Sequence, residues 1–405
     1  MHGIVLPQED SMISQNEKTS TGHRRRSAAI VGIGHTDWVK DWARVRNNEK
    51  PNDSYGYAAD ALVNALSDAG IEKTELDGLI VGPTTAYERM AEILGIDPKW
   101  GDQADAVLSV AQAVMAIESG MAETIALVYG NDQRSGQIQY GGPQAMGGDA
   151  FLSYIYHAPW GLTSQGALYA LTFQAYKHAT GFGESDLARV AVAQREWSSQ
   201  NPNAVMRKRI EIGNYLEAPY ICEPLRLYDY CMINDGGVAL IVTTAEKAKT
   251  MKQKPVYIDG LGRRDLNNKA TSLEPRLTEF YHPAQEDCAK QAFAMAGIGP
   301  EDVDILQVYD SFSVHIPLAL EGYGYCRKGE AAKFLAESGI GPGGKLPVNT
   351  SGGHLSESYM QGWAHQIESV RQLRGECGDR QVQGCNRVHY TSDVAGKAVS
   401  IIYGK

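Results

Sequence analysis

The residues that first suggest chemistry lie in VNTSGGHLSESYMQGWAH, from Val348 to His365. A Gly-Gly turn is followed by a Ser-Glu-Ser cluster and an apolar-periodic segment that continues through QIESVRQL. Turn glycines, N-cap candidates and helical periodicity together predict a helix that begins between Ser356 and Tyr359. Such a start presents unpaired backbone N–H groups to whatever lies before it. Tyr359 stands at this place, where an anion-binding Gly or Ser or a nucleophile would be expected. A phenol ionises at about 10 when unperturbed, and hydrogen-bond donors or a positive helix dipole beside it bring it toward acid–base work.

The elements that must position this segment read as alternating strands and helices. SAAIVGIGHTDW opens with a strand over Ala28–Val31, followed by a helix over Tyr57–Ala69, a strand over Gly78–Val81, a helix around Val107–Ser119 and the strand TIALVYG. This alternation favours a layered α/β architecture with buried sheets. An internal repeat goes further. ADALVNALSDAGIEKTELDGLIVG (Ala59–Gly82) aligns without gaps on EDCAKQAFAMAGIGPEDVDILQVY (Glu286–Tyr309), matching a helix, its terminal glycine and the next strand. VLSVAQAVMAIESG, ending at Gly120, likewise parallels MQGWAHQIESVRQLRG, ending at Gly375. The chain therefore reads as two copies of a βαβα unit, with the paired helices directing their N-termini at one central site. The division falls at residues 27–252 and 253–405, and residues 1–26, polar and without periodicity, form a flexible tail.

Composition bounds the chemistry. With 38 basic and 48 acidic residues the net charge is −10, and the basic runs are confined to His23–Arg26 and Arg207–Arg209, which argues against nucleic-acid binding. Six cysteines are scattered without a CxxC pair, so neither a metal site nor a disulfide framework is expected and the thiols read as reduced and buried. The absence of a membrane-length apolar run or a signal-type N-terminus points to a soluble cytoplasmic protein.

The duplication resembles the thiolase superfamily, and APWGLTSQGALYALTFQAYKHATG, DLARVAVAQREWSSQNPNA, EPLRLYDYCMINDGGVALIVTTAEKA, YDSFSVHIP and VNTSGGHLSES resemble its sterol-carrier and lipid-transfer branch. The resemblance implies a thiolase fold, an αβαβα stack of two duplicated halves, and covers the chain from Ala28 onward. A thiolase needs a nucleophilic cysteine at the start of its first central helix. That place falls near Gln103, and no cysteine occurs between Met1 and Ile221. Ser358-Tyr359-Met360 replaces the family's Gly-His-Pro, Tyr309 of YDSFS replaces the residue that opens the family's NEAF or HDCFS motif, and HYTSDVAG lacks the C-terminal cysteine.

Two tyrosines without the cysteine resemble the thiolase-like retro-aldolases of steroid side-chain degradation. That resemblance implies Tyr309 as base on a tertiary alcohol and Tyr359 as acid toward the enolate, although the dipole argument leans toward the reverse. Asp310 and His354 are candidates for tuning, and the backbone around Gly352 and Gly353 for holding the enolate oxygen. Coenzyme A enters as part of the substrate with no further cofactor, and the implied partners are a second copy of the chain and a small OB-fold, zinc-ribbon subunit. The alternatives are a thiolase for a branched or aromatic 3-oxoacyl-CoA, of the benzoylsuccinyl-CoA type, and a non-catalytic acyl-CoA or lipid-binding homologue. His315 and His365 read as structural or rim residues. Arg207, Lys208 and Arg209 could meet CoA phosphates, whereas GIGPGGK (Gly339–Lys345) lacks the context of a phosphate loop.

Overall fold

AAIVGIGH, TIALVYGN and GGVALIVTT carry apolar residues on both faces, so each must lie between two layers, and each forms a buried strand. The computed structural model describes residues 26–137, 157–162, 164–265, 272–394 and 396–405. Of the expected tail, residues 1–26, positions 1–25 lie outside them, while Arg26 is anchored, its Nε donating to Asp259 over 2.7 Å. The strands are β1 (Ala28–His35), β2 (Gly78–Val81), β3 (Trp100–Gln103), β4 (Thr124–Asn131), β5 (Tyr220–Cys222), β6 (Leu225–Arg226), β7 (Gly236–Thr244), β8 (Val256–Asp265), β9 (Ile305–Val308), β10 (Arg387–Ser392) and β11 (Lys397–Gly404). Nine of them run in the order β3-β2-β4-β7-β1-β8-β11-β10-β9.

The duplication is visible in this order. From the central pair β1–β8 outward, β1-β7-β4-β2 repeats as β8-β11-β10-β9, antiparallel at the first two joints and parallel at the last. The first half adds β3 at its edge. The aligned segments match residue for residue: helices Ser54–Ala69 and His282–Ala296 end on left-handed Gly70 (φ 71°) and Gly297 (φ 69°). Each is followed by a 3-10 turn and then by β2 or β9. Left-handed backbone is cheap only for glycine, which is why this residue marks both copies.

Alternate strand residues face opposite layers. On one side Ala29, Val31, Val81 and Ile241 pack on helix Ser54–Ala69. On the other, Ile30, Leu127 and Leu240 join Ile305, Tyr390 and Ile401 of the second half around helices Ala106–Glu118 and Trp363–Arg374. The result is the αβαβα stack, with those two helices as its middle layer. Gln366 Nε2 donates to the Ala106 carbonyl over 2.8 Å, so their first turns meet as the repeat implied.

The helix expected to begin near Ser356 begins at Trp363 instead. Gly353–Ser356 makes a single turn, and left-handed Gln361 (φ 49°) and Gly362 (φ 85°) interrupt the helical path before Trp363. Periodicity registers the helix but not this break, because Gln361 carries no turn signal.

A buried ion pair locks the second central helix. Glu368 accepts from Arg380 Nη2 at 2.9 Å and Nε at 3.1 Å, and from Thr350 Oγ1 at 2.8 Å. Burial pushes the Glu368 carboxyl up, but the Arg380 guanidinium more than offsets this and holds it below its ordinary range. Arg380→Met leaves a buried carboxylate without its partner, and urea unfolding is expected to show a loss of about 3–5 kcal/mol.

Candidate active site

β9 ends at Val308, and the chain then turns so that Tyr309 faces inward, its N–H donating to the Thr391 carbonyl over 2.9 Å. Tyr359 arrives from the irregular segment between the turn Gly353–Ser356 and helix Trp363–Arg374. The two hydroxyls, 50 residues apart in sequence, are hydrogen-bonded at 3.0 Å. Tyr309 is buried and Tyr359 half-buried, so Tyr359 is the more exposed member of the pair.

Asp310 and His354 form the wall behind the pair. The Asp310 carboxylate, fully buried, accepts from the His354 N–H (2.8 Å), the Leu355 N–H (3.5 Å) and His365 Nε2–H (2.9 Å). His354 Nε2 accepts from the Gly362 N–H over 2.8 Å. This assigns the ring proton to Nδ1, which lies 3.6 Å from Asp310. Burial, together with the neighbouring His365 and His315, pushes His354 well below the ordinary imidazole range, so it is neutral. Its ring lies 4.6 Å from that of Tyr309 and 4.9 Å from that of Tyr359. His365, expected at a rim or in a structural role, is therefore part of the network that holds this wall.

Asp310, His354 and His365 also place potential ligand atoms within 4.8 Å of one another. The hydrogen bonds already described organise this cluster without invoking an ion.

The glycines act through space and backbone shape. Gly352 N–H donates to the Asn349 carbonyl (2.8 Å) and Gly353 N–H to Ser351 Oγ (3.4 Å), so both amides are engaged within the loop. Gly353 has φ 58°, and a Cβ there would lie 2.3 Å from Asp310 Oδ2. The small residue is what lets the loop close over the carboxylate. The expected helix dipole is also absent at Tyr359: it follows the C-terminal end of a one-turn helix, and the next helix starts four residues later.

No activated thiol faces this centre among the described residues. Helix Ala106–Glu118 starts from Asp105, whose carboxylate accepts from the Leu108 N–H, while Gln103 closes β3 and donates to the Thr85 carbonyl over 2.9 Å. Cys288, Cys377 and Cys385 are buried, whereas Cys222, Cys231 and Cys326 are half-buried rather than buried as expected. Burial pushes the Cys231 thiol up to about 12, the nearby Asp310 adding to the effect, and pushes Cys288, Cys326 and Cys385 to about 12 as well. Such thiols are inert at neutral pH.

Sequence reading passed over several residues that hold the site. Asn234 and Asn131 bond the backbone of Tyr359, yet Asn234 stands out in the sequence only as part of the block EPLRLYDYCMINDGGVALIVTTAEKA. His315, named in the sequence only for a structural or rim role, bonds both Ser311 (3.0 Å) and Asp393 (2.7 Å) behind Tyr309. Glu357 is buried two residues before Tyr359, held by Asn201 Nδ2 at 2.8 Å. Asn131, Asn234 and Glu357 have no spacing signal, because the partners that hold them to the site are more than 100 residues away in sequence.

Comparison with known proteins gives a consistent picture. Residues 267–405 match the family described as thiolase C-terminal domain-like. The chain is 33% identical over 401 residues to the 17-hydroxy-3-oxo-4-pregnene-20-carboxyl-CoA lyase of Mycobacterium tuberculosis, an alignment covering 93% of this chain and 99% of that one. It is 32% identical over 367 residues to the steroid side-chain-cleaving aldolase of Thermomonospora curvata, covering 86% and 90%. Among solved structures, the Ltp2-ChsH2(DUF35) aldolase matches with a TM-score of 0.82 and 29% identity over 94% of this chain and 98% of that one.

Glu357 gives the site a pH-dependent support. Burial, and then the Glu368 charge, push its carboxyl from 4.5 up to about 7. Between those values the folded chain keeps a proton that the unfolded chain has released, so stability falls as pH rises. Glu357→Gln removes this dependence. Thermal melting from about pH 5 to 8 is expected to show the variant gaining on the native chain by up to about 3 kcal/mol.

Proposed function

We propose, for a chain that belongs to the steroid side-chain-cleaving aldolase family of the thiolase fold, that the hydrogen-bonded pair Tyr309 and Tyr359 carries out its acid–base chemistry. The reaction is retro-aldol cleavage of a bulky, steroid side-chain β-hydroxyacyl-CoA to a ketone and a shorter acyl-CoA such as propionyl-CoA. The observation that carries the tyrosine assignment is the 3.0 Å bond between the two hydroxyls.

Retro-aldol cleavage needs no covalent intermediate. A base removes the alcohol proton, the carbon–carbon bond breaks to leave a carbonyl and a thioester enolate, and an acid protonates the α carbon. Tyr309 as phenolate takes the alcohol proton, and Tyr359 as phenol gives one to the enolate. The cycle leaves Tyr309 protonated and Tyr359 ionised, and a proton passing from Tyr309 to Tyr359 along their hydrogen bond restores the starting state. No free CoA and no external proton are consumed. The hydrogen bond between the hydroxyls lets a phenol donate to a phenolate partner, the form of the pair from which the reaction starts.

Neutral His354 supports the same assignment. It forms a polarisable wall beside both rings without adding a cation that would favour ionising both. The CoA moiety would meet the exposed run Arg207–Arg209. Its nearest support is structural continuity: Val205 and Met206 donate to the carbonyls of Glu357 and Ser356, so the basic run leaves directly from the Tyr359 loop.

The partners follow as part of the same proposal. Among the described residues β3 is an edge strand of the sheet in the first half, which supports self-association there. The likeness to the Ltp2-ChsH2(DUF35) aldolase supports a second subunit for this chain, which we propose to be a small OB-fold, zinc-ribbon protein.

The test is to incubate the protein and its partner with a 17-hydroxy steroid side-chain CoA thioester and follow the 17-ketone without added CoA. Tyr309→Phe and Tyr359→Phe are each expected to lower turnover by on the order of a hundredfold or more, and either variant retaining full turnover overturns the assignment. Iodoacetamide is expected to leave activity intact, since no step uses a thiol; inactivation that substrate prevents would favour a thiolase.

A further inference from the structure

Tyr359 lies on a stretch with no helix or strand to fix it. The segment from Glu357 to Gly362 joins two helices through left-handed residues, so its direction must come from side chains. Two buried asparagines of the first half supply it. Asn234 Oδ1 accepts the Tyr359 N–H over 2.7 Å, and its Nδ2 donates to Ser358 Oγ (2.9 Å) and to the Asp235 carbonyl (3.1 Å). Asn131, the last residue of β4, donates from Nδ2 to the Asn234 carbonyl over 2.7 Å and to the Tyr359 carbonyl over 3.4 Å.

Both backbone polar groups of one catalytic candidate are thus held by amide side chains from the other half of the fold. Both asparagines are fully buried, so water cannot replace a lost contact readily. The seat is shaped around them. Asn131 pairs with Gly236 where β4 meets β7, and a Cβ at Gly236 would lie 2.5 Å from Trp38 and 3.1 Å from Met360. Met360, next to Tyr359, fills the space that the glycine leaves.

We infer that Asn234, braced by Asn131, is the positioning residue that sets the Tyr359 hydroxyl against Tyr309 for proton transfer. Neither asparagine touches the reacting atoms; both act through Tyr359. Asparagine suits the task because one side chain offers an acceptor to Tyr359 N–H and a donor to Ser358. Leucine has similar bulk and neither. The inference rests on the reading of Tyr359 as an acid–base residue, and the experiment separates the two.

The test is a double-mutant cycle on the assembled enzyme, read as kcat and KM for the steroid thioester, with single-turnover measurements at enzyme excess for the slow variants. Asn234→Leu is expected to lower kcat by about ten- to a hundredfold, as misplacing a reacting group does, with KM changing by less than about threefold. In the Tyr359→Phe background the same substitution is expected to change kcat by less than about twofold, because the group it positions is already gone. An equal fold-loss in both backgrounds, or no loss in the first, overturns the positioning role. Full turnover by Tyr359→Phe alone overturns the reading of Tyr359 instead. If Asn234→Leu fails to fold, Asn131→Ala is carried through the same cycle, with the same two outcomes deciding.

Discussion

The site depends on one buried anion. Asp310 gathers the N–H groups of His354 and Leu355 and the Nε2–H of His365 onto a carboxylate with no access to solvent. An uncompensated charge there would be intolerable, so these donors fix the relative positions of three pieces of chain. They are the turn after β9, the Gly352–Gly353 loop and the start of helix Trp363–Arg374. Tyr309 precedes the carboxylate directly, and Tyr359 lies between two of the pieces it ties. Gly353 belongs to the same constraint, since a side chain on it would collide with Asp310.

Around that anion the two halves divide the work unevenly. The second half carries both tyrosines, Asp310, His354 and His365. The first half carries the asparagines that hold the Tyr359 backbone and the strands against which Met360 and Trp363 pack. A duplicated fold makes this possible because its two central helices meet at their first turns, bringing loops from both copies to one point. On the first-half side a carboxylate caps the helix. The thiols of Cys231, close to Asp310, and of buried Cys288 are driven away from ionisation. What such a centre can move is a proton, and retro-aldol cleavage requires only that.

Much of the architecture was legible in the sequence because burial and periodicity are local properties. The repeat of helix, left-handed glycine and strand aligns without a gap, and the structure carries it at matching positions from Gly70 and Gly297 onward. The motif resemblance put Tyr309 and Tyr359 forward together, and the structure brings their hydroxyls into contact. The local setting of Tyr359 is not legible from periodicity. Helical periodicity in WAHQIESVRQL was extended backward across SESYMQG, although Gln361 and Gly362 turn left-handed and delay the helix. With that shift the favourable dipole vanished, and the Gly352 and Gly353 amides proved engaged within their own loop.

The layered α/β duplication, the missing nucleophile and the two tyrosines follow from the order of residues alone, since each is a matter of which residue stands where along the chain. Only folding brings about the neutral state of His354, the donors gathered on Asp310, the rise in the Glu357 carboxyl and the asparagine grip on Tyr359. Those depend on desolvation and on hydrogen bonds between residues far apart in the chain, such as Asn131 and Tyr359. No periodicity links such residues, and only folding puts their polar groups where water no longer competes.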